Sequence, residues 1–162
     1  MTKSHPKYIT TAAIRFLNDA YSATHRIYGY DESGKLYMAN GNAIYVGKPI
    51  DGLPPECRAD CVELLRPFIE KWEAELSGEH VFLSEDEMRL DRQKQKTNGI
   101  KYPVWRATLP NGMQAGFLWT RLTRANDLLQ RGTMIIELPA QPLHAAAIRG
   151  CRGVVYQLPV RL

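Results

Sequence analysis

The stretch RIYGYDESGKLYMANGNAIYV, residues 26–46, decides the fold class. It holds three short strand-like runs, Arg26–Tyr30, Leu36–Ala39 and Ala43–Val46, separated by Asp31-Glu32-Ser33-Gly34 and Asn40-Gly41-Asn42. Both separators are built from residues that tolerate tight turns, so successive runs fold back on one another as an antiparallel meander. Tyr28, Tyr30, Tyr37 and Tyr45 suit a pleated surface.

Helical periodicity flanks this meander. Ala13, Ile14, Leu17 and Tyr21 recur at helical spacing, which predicts a helix capped by Thr10 or Thr11 and running to about Ser22. After the loop Asp51-Gly52-Leu53-Pro54-Pro55, a proline is positioned to open a second helix. Its stripe is Cys57, Cys61, Leu65, Phe68, Trp72 and Leu76, it ends before Gly78, and Pro67 within it predicts a kink.

Further on, His80–Leu83 reads as a strand, and the polar, basic segment 89–101 with Asn98-Gly99 reads as a hairpin turn or mobile loop. Tyr102–Leu109 and Met113–Thr120 flank Asn111-Gly112, the strongest hairpin signal in the chain. A helix over Thr123–Gln130, a strand over Met134–Leu138, a short helix over Gln141–Arg149 and a strand over Val154–Arg161 follow. This order predicts an α+β fold with a mostly antiparallel sheet and two to four helices, in a single domain spanning residues 1–162.

Composition agrees with a globular chain: 162 residues, 44% hydrophobic and 23% charged. No apolar run is long enough for a membrane span, and the start MTKSHPKYITT lacks the apolar core of a signal peptide. Three cysteines without framework spacing suit a reducing compartment, so the cytoplasm is expected. Residues 1–81 carry 9 Lys+Arg against 11 Asp+Glu, whereas residues 82–162 carry 12 against 6. A basic later half suits an anionic partner, or is simply a solvated basic surface.

No constellation for catalysis emerges, so neither enzyme activity nor a cofactor is expected. Cys57 and Cys61 have metal-pair spacing but no second pair of ligands, and their place on the apolar stripe predicts buried core thiols. His5, His25, His80 and His144 have no motif context, and His144 is expected on the short helix among alanines. The cluster Glu85-Asp86-Glu87 reads as a solvated turn or a cation holder. Arg89, Arg92, Lys94, Lys96 and Lys101, followed by Trp105 and Arg106, form a candidate nucleic-acid contact, with Trp105 as core the competing reading.

Three segments, in order, resemble the bacterial DNA sliding clamp, the beta subunit of DNA polymerase III. They are GKLYMANGNAI at 34–44, GIKYPVWRATLP at 99–110, and VYQLPVRL at 155–162. The resemblance implies that these segments converge on an apolar groove for partner peptides of replication or repair factors. Carried over by motif, the groove comprises Gly41, Asn42, Ile44, Pro103, Thr108, Leu158, Pro159, Val160, Arg161 and Leu162. The competing reading has Leu158-Pro159-Val160 close a sheet edge.

Asn42-Ala43 and Ala107-Thr108 depart from the family pattern, which puts the family's peptide specificity in doubt here. The segment 55–76, where the family has a DNA-facing helix, carries three basic and six acidic residues and should repel phosphate. The expectation is therefore a reduced clamp-like binding protein that engages peptides, DNA or both, or mimics a host clamp, and that can self-associate. The alternative is a regulatory or inhibitory protein of phage or mobile-element type, docking an unrelated protein or nucleic-acid complex through its basic second half.

Overall fold

The meander forms with β1 (Ile27–Tyr30), β2 (Leu36–Ala39) and β3 (Ala43–Gly47), paired antiparallel in the register Tyr28↔Met38↔Tyr45. A computed structural model describes residues 6–20, 23–55, 57–129 and 132–162. His5, Tyr21, Ser22, Glu56 and Gln130, which figure in the sequence reading, lie outside the described residues.

The meander is one end of a larger sheet. With β4 (Leu76–Leu83), β7 (Met134–Pro139), β8 (Ala146–Gly150) and β9 (Gly153–Gln157) it makes seven strands in the order β1-β2-β3-β9-β8-β7-β4, every pairing antiparallel. A separate hairpin pairs β5 (Val104–Thr108) with β6 (Gln114–Leu118) across the Asn111-Gly112 turn. With helices α1 (Pro6–Asn18), α2 (Cys61–Ala74), α3 (Glu85–Thr97) and α4 (Trp119–Leu129), the fold is α+β, as the sequence predicts.

Strand alternation divides the sheet into two faces. Leu36, Met38, Tyr45, Ile136, Ile148 and Val155 are fully buried in a core that also takes in Ala13, Phe16 and Leu17 of α1 and Leu122, Leu128 and Leu129 of α4. On the opposite face Ala39, Ile44, Ala147 and Tyr156 pack against Cys61 and Leu65 of α2. The sheet is thus a middle layer, and α2 covers only part of its second face.

A polar cluster fastens α2 in place. Arg149 Nη2 donates to Glu73 Oε1 at 2.7 Å and to Glu137 Oε1 at 3.0 Å, and Tyr156 OH donates to Glu73 Oε2 at 2.5 Å. Just beyond the helix, Glu75 pairs with His144 at 3.1 Å, and its carbonyl accepts from Ala140 N at 3.0 Å.

Several expectations are corrected. The first helix begins at Pro6, not at a Thr10 or Thr11 cap, and Thr10 Oγ1 instead donates to Asp51 O at 2.7 Å. The second helix starts at Cys61, several residues after the prolines, leaving Cys57 outside it and exposed rather than in the core. Leu76, expected at the end of that helix, belongs to β4.

Segment 89–101 is mostly helix rather than loop. Ser84 Oγ accepts from Glu87 N at 3.1 Å, and Glu85, Asp86 and Glu87 occupy the first turn where the helix dipole favours anions. The acid cluster is therefore a helix start and not a free turn. Gln95 holds α3 to β5: its Nε2 donates to Val104 O at 2.8 Å and its Oε1 accepts from Val104 N at 2.9 Å.

The expected helix over Gln141–Arg149 is a turn followed by β8. Ala146, Ala147 and Ile148 are completely buried between β7 and β9, where ladder pairing overrides the helix propensity of alanine. Trp105 sits near Phe117 and Trp119, with ring centroids 6.1 and 6.2 Å away, so the packing role fits it better than the base-stacking one.

Burial, reinforced by the Glu73 carboxylate, pushes the Tyr156 hydroxyl above the ordinary tyrosine range, and burial does the same to Tyr45. A raised folded-state value means this stability is complete below about pH 10, where free tyrosine titrates, and is lost as pH climbs beyond it. The urea midpoint should therefore fall between pH 9 and pH 11. Tyr156→Phe, with no proton to lose, should show a shallower fall.

A candidate binding groove beside the second helix

Helical spacing puts Leu64, Leu65, Phe68 and Trp72 along one flank of α2. Leu65 is buried against the sheet, but Leu64 is 41% exposed and Phe68 53% exposed, a large apolar surface left open beside a packed helix. The Phe68 and Trp72 rings are 6.0 Å apart at 57°. Facing them are Ile27, Ala39 and Ile44 of the meander, with Leu158 closing the far side, and together they enclose a groove of ≈ 400 Å³.

The wall opposite α2 depends on the turn between β2 and β3. Asn40 is buried, and its Oδ1 accepts from Asn42 N at 2.8 Å and Ala43 N at 2.9 Å while its Nδ2 donates to Phe16 O at 3.0 Å. Gly41 has φ +87°, and a Cβ there would lie 3.1 Å from His25, so glycine is required. Leu158 N donates to Asn42 O at 2.9 Å and Gln157 Nε2 donates to the same oxygen at 3.1 Å. That carbonyl sets Leu158 against the turn.

Polar groups at the groove are few: Thr24, His25 and Arg58. Arg58 is committed to Asp60, Nε to Oδ1 at 2.6 Å, an exposed pair of small energetic weight. The surface therefore offers apolar contact with a thin polar edge.

Of the ten residues expected in one groove, Gly41, Ile44 and Leu158 line this one, with Asn42 supporting it from behind. The other six are elsewhere. Pro103 and Thr108 belong to the β5–β6 hairpin region, Pro103 O accepting from Trp119 N at 3.1 Å. After Pro159, Val160 N donates to Gly116 O at 2.8 Å, and Leu162 covers Gly116 so closely that a Cβ there would lie 2.5 Å from Leu162 Cδ2. Arg161 is exposed beside them. The chain's last residues thus run from the groove to the hairpin, joining the three clamp-like segments without merging their side chains into one site.

Leu64, Phe68 and Trp72 are the site residues that sequence reading missed. Phe68 and Trp72 were visible as a stripe, but a stripe does not reveal how far the sheet beneath it extends. The expected basic patch also divides. Arg89, Arg92 and Lys96 line a groove of ≈ 620 Å³ between α3 and α4, in the company of Glu85 and Asp127. Lys94 is not among its lining residues, and Lys101 lies beyond the helix with Nζ 5.3 Å from the Tyr102 ring centroid. Arg89 is paired with Asp86 at 3.1 Å.

Among the described residues no cluster of three histidine, cysteine or acidic side chains is arranged to hold a metal ion, and no helix is long and apolar enough to cross a membrane. No protein-family model matches the chain, and no curated protein does. Among solved structures it is similar to the Helicobacter pylori beta clamp bound to DNA ligase peptide, at 11% identity and a TM-score of 0.41. That similarity covers 80% of this chain and 41% of the clamp chain, so this protein spans well under half of its length.

The thiols give a direct check on the α2 contact. Burial against the sheet pushes the Cys61 thiol up to about 11, and its Sγ lies 3.7 Å from Tyr37 O. Cys57 and Cys151 are exposed. At pH 8 a disulfide reagent should titrate two thiols quickly and the third only on unfolding, and Cys61→Ala should remove the slow one.

Proposed function

We propose that this is a non-enzymatic binding protein that captures a short apolar peptide in the groove beside α2, in the manner of a reduced sliding clamp. The class of partner is a peptide motif of replication or repair factors. The observation that carries this reading is the open apolar flank of α2, where exposed Phe68 and Leu64 face Ile44 and Leu158 across ≈ 400 Å³. A few apolar side chains of a peptide fit such a cleft, with Thr24 and His25 at its edge to orient the backbone.

DNA encirclement gains less support. The helix itself carries Glu63, Glu70 and Glu73 against Arg66 and Lys71, a net of −1, because much of the acidity counted over 55–76 lies outside it. Glu73 is also engaged by Arg149 and Tyr156. The remaining charges are mixed in sign, and such a surface has little pull on phosphate. The groove between α3 and α4 is likewise of mixed sign.

Fluorescence polarisation with a labelled clamp-binding peptide tests the reading. Phe68→Ala, at an exposed position where folding should survive, should weaken binding about tenfold or more, as truncating an aromatic anchor does. Loss of binding on deleting Leu158–Leu162 would agree with it. No measurable binding by the intact protein would overturn it.

A further inference from the structure

The other flank of α2 opens onto a different surface. Over the same sheet face lies a groove of ≈ 820 Å³ whose lining includes Lys35, Lys48, Arg149 and Arg152 and no carboxylate. Its floor is a cross-strand row, Tyr37↔Val46↔Val154, with Ile69 of α2 beside it, all four half-buried. One flank of the helix is apolar with a thin polar edge. The other is an apolar floor with a cationic rim.

Glycines build that rim. Gly47 and Gly153 are register partners, and a Cβ on either would lie 2.2 Å from backbone oxygen, Arg152 O in one case and Val46 O in the other. Gly153 also has φ +149°. The close approach lets Lys48 N donate to Arg152 O at 2.8 Å, which fixes Lys48 and Arg152 side by side although they are far apart in sequence. Arg152 Nη2 donates to Pro49 O at 3.3 Å, while its Nε is buried with no hydrogen-bond partner among the described residues.

The four cations are not equally committed. Arg149 is held by Glu73 and Glu137. Lys35 and Lys48 are exposed and make no ion pair among the described residues. Of the two acids in the turn before Lys35, Asp31 is held within the loop, Oδ1 accepting from Ser33 N at 2.9 Å, Ser33 Oγ at 2.6 Å and Lys35 N at 2.9 Å, and Glu32 is exposed and does not line the groove. Lys35, Lys48 and Arg152 therefore present positive charge above an apolar floor that includes an aromatic ring.

We propose that this groove binds a phosphate-bearing ligand of the nucleotide class, its phosphate held by Lys35, Lys48 and Arg152 and its flat base lying on the Tyr37, Val46 and Val154 row. Cations neutralise phosphate, and aromatic or apolar surface accepts a base irrespective of its identity. A ligand lacking either part would leave half of the groove unused. The shared chemistry is found in a free nucleotide and in a nucleotide within a single strand. The proposal does not rest on the peptide reading, because it uses the opposite flank of α2.

Two fluorescent probes distinguish the sources: a labelled adenosine diphosphate and a labelled oligothymidylate, each titrated at low and moderate salt. Saturable binding of either probe is expected, with the double variant Lys35→Glu, Lys48→Glu losing it at least tenfold while keeping its circular dichroism spectrum and urea midpoint. Preference for the first probe assigns a free nucleotide. Preference for the second assigns a strand, whose log–log salt slope should flatten by about 0.7 for each phosphate contact removed. Phe68→Ala should leave both affinities unchanged, which separates this outcome from failure of the peptide groove. The proposal is overturned if neither probe binds, if the double variant binds as well as the parent, or if an aspartate-rich peptide binds more tightly than both.

Discussion

The second face of the sheet is organised by one carboxylate. Glu73 accepts from Arg149 of β8 and Tyr156 of β9, and Arg149 reaches on to Glu137 of β7. Apolar packing holds α2 to the sheet through buried Cys61 and Leu65 in its first turns and half-buried Ile69 and Trp72 further along. The Glu73 cluster fixes the far end of the helix over three neighbouring strands. Arg149 is its costly member, because removing it leaves the Glu137 carboxylate, only 12% exposed, without its cation. With the helix fixed, its two flanks acquire definite and different surroundings.

Those flanks explain why one narrow helix serves as the wall of two grooves. A sheet face of this width needs more than one helix to cover it, and among the described residues only α2 packs on it. The uncovered strips on either side take their character from the rows they expose. Toward Leu158 the row is Ala39 and Ile44, and toward the β8–β9 turn it is Tyr37, Val46 and Val154, rimmed by lysine and arginine. Partial coverage leaves open surface on both flanks of the helix without any special residue chemistry.

Much of the architecture was legible in the sequence because it is local. The meander of β1, β2 and β3 and the β5–β6 hairpin follow from turn residues set between extended runs, and both appear where turn chemistry puts them. The failures have physical causes. Segment 85–97 has almost no apolar stripe, so periodicity is silent, although Ser84 and Glu87 carry the signature of a helix start. The alanines of β8 favour a helix in isolation and become strand because β7 and β9 enclose them. In the groove, Gly41, Ile44 and Leu158 were reachable from motif, whereas Phe68 was not, since exposure of a stripe residue depends on where strands distant in sequence stop. The basic residues were correctly seen as numerous, but their grouping by helix face needed the helix.

The seam between β3 and β9 has a further consequence, for the time at which the molecule becomes whole. It lies inside the sheet, not at its edge, and it joins Asn42 to Gln157 across 115 positions of chain. The meander can form early from local turns, yet its β3 edge stays unpaired until β9 has been made. Folding of this protein therefore depends on a long-range closure between β3 and β9, the kind of step that loop entropy makes slow. Until then, a nascent chain carries an open strand edge, and Ile44 lacks the neighbour on β9 that helps to bury it.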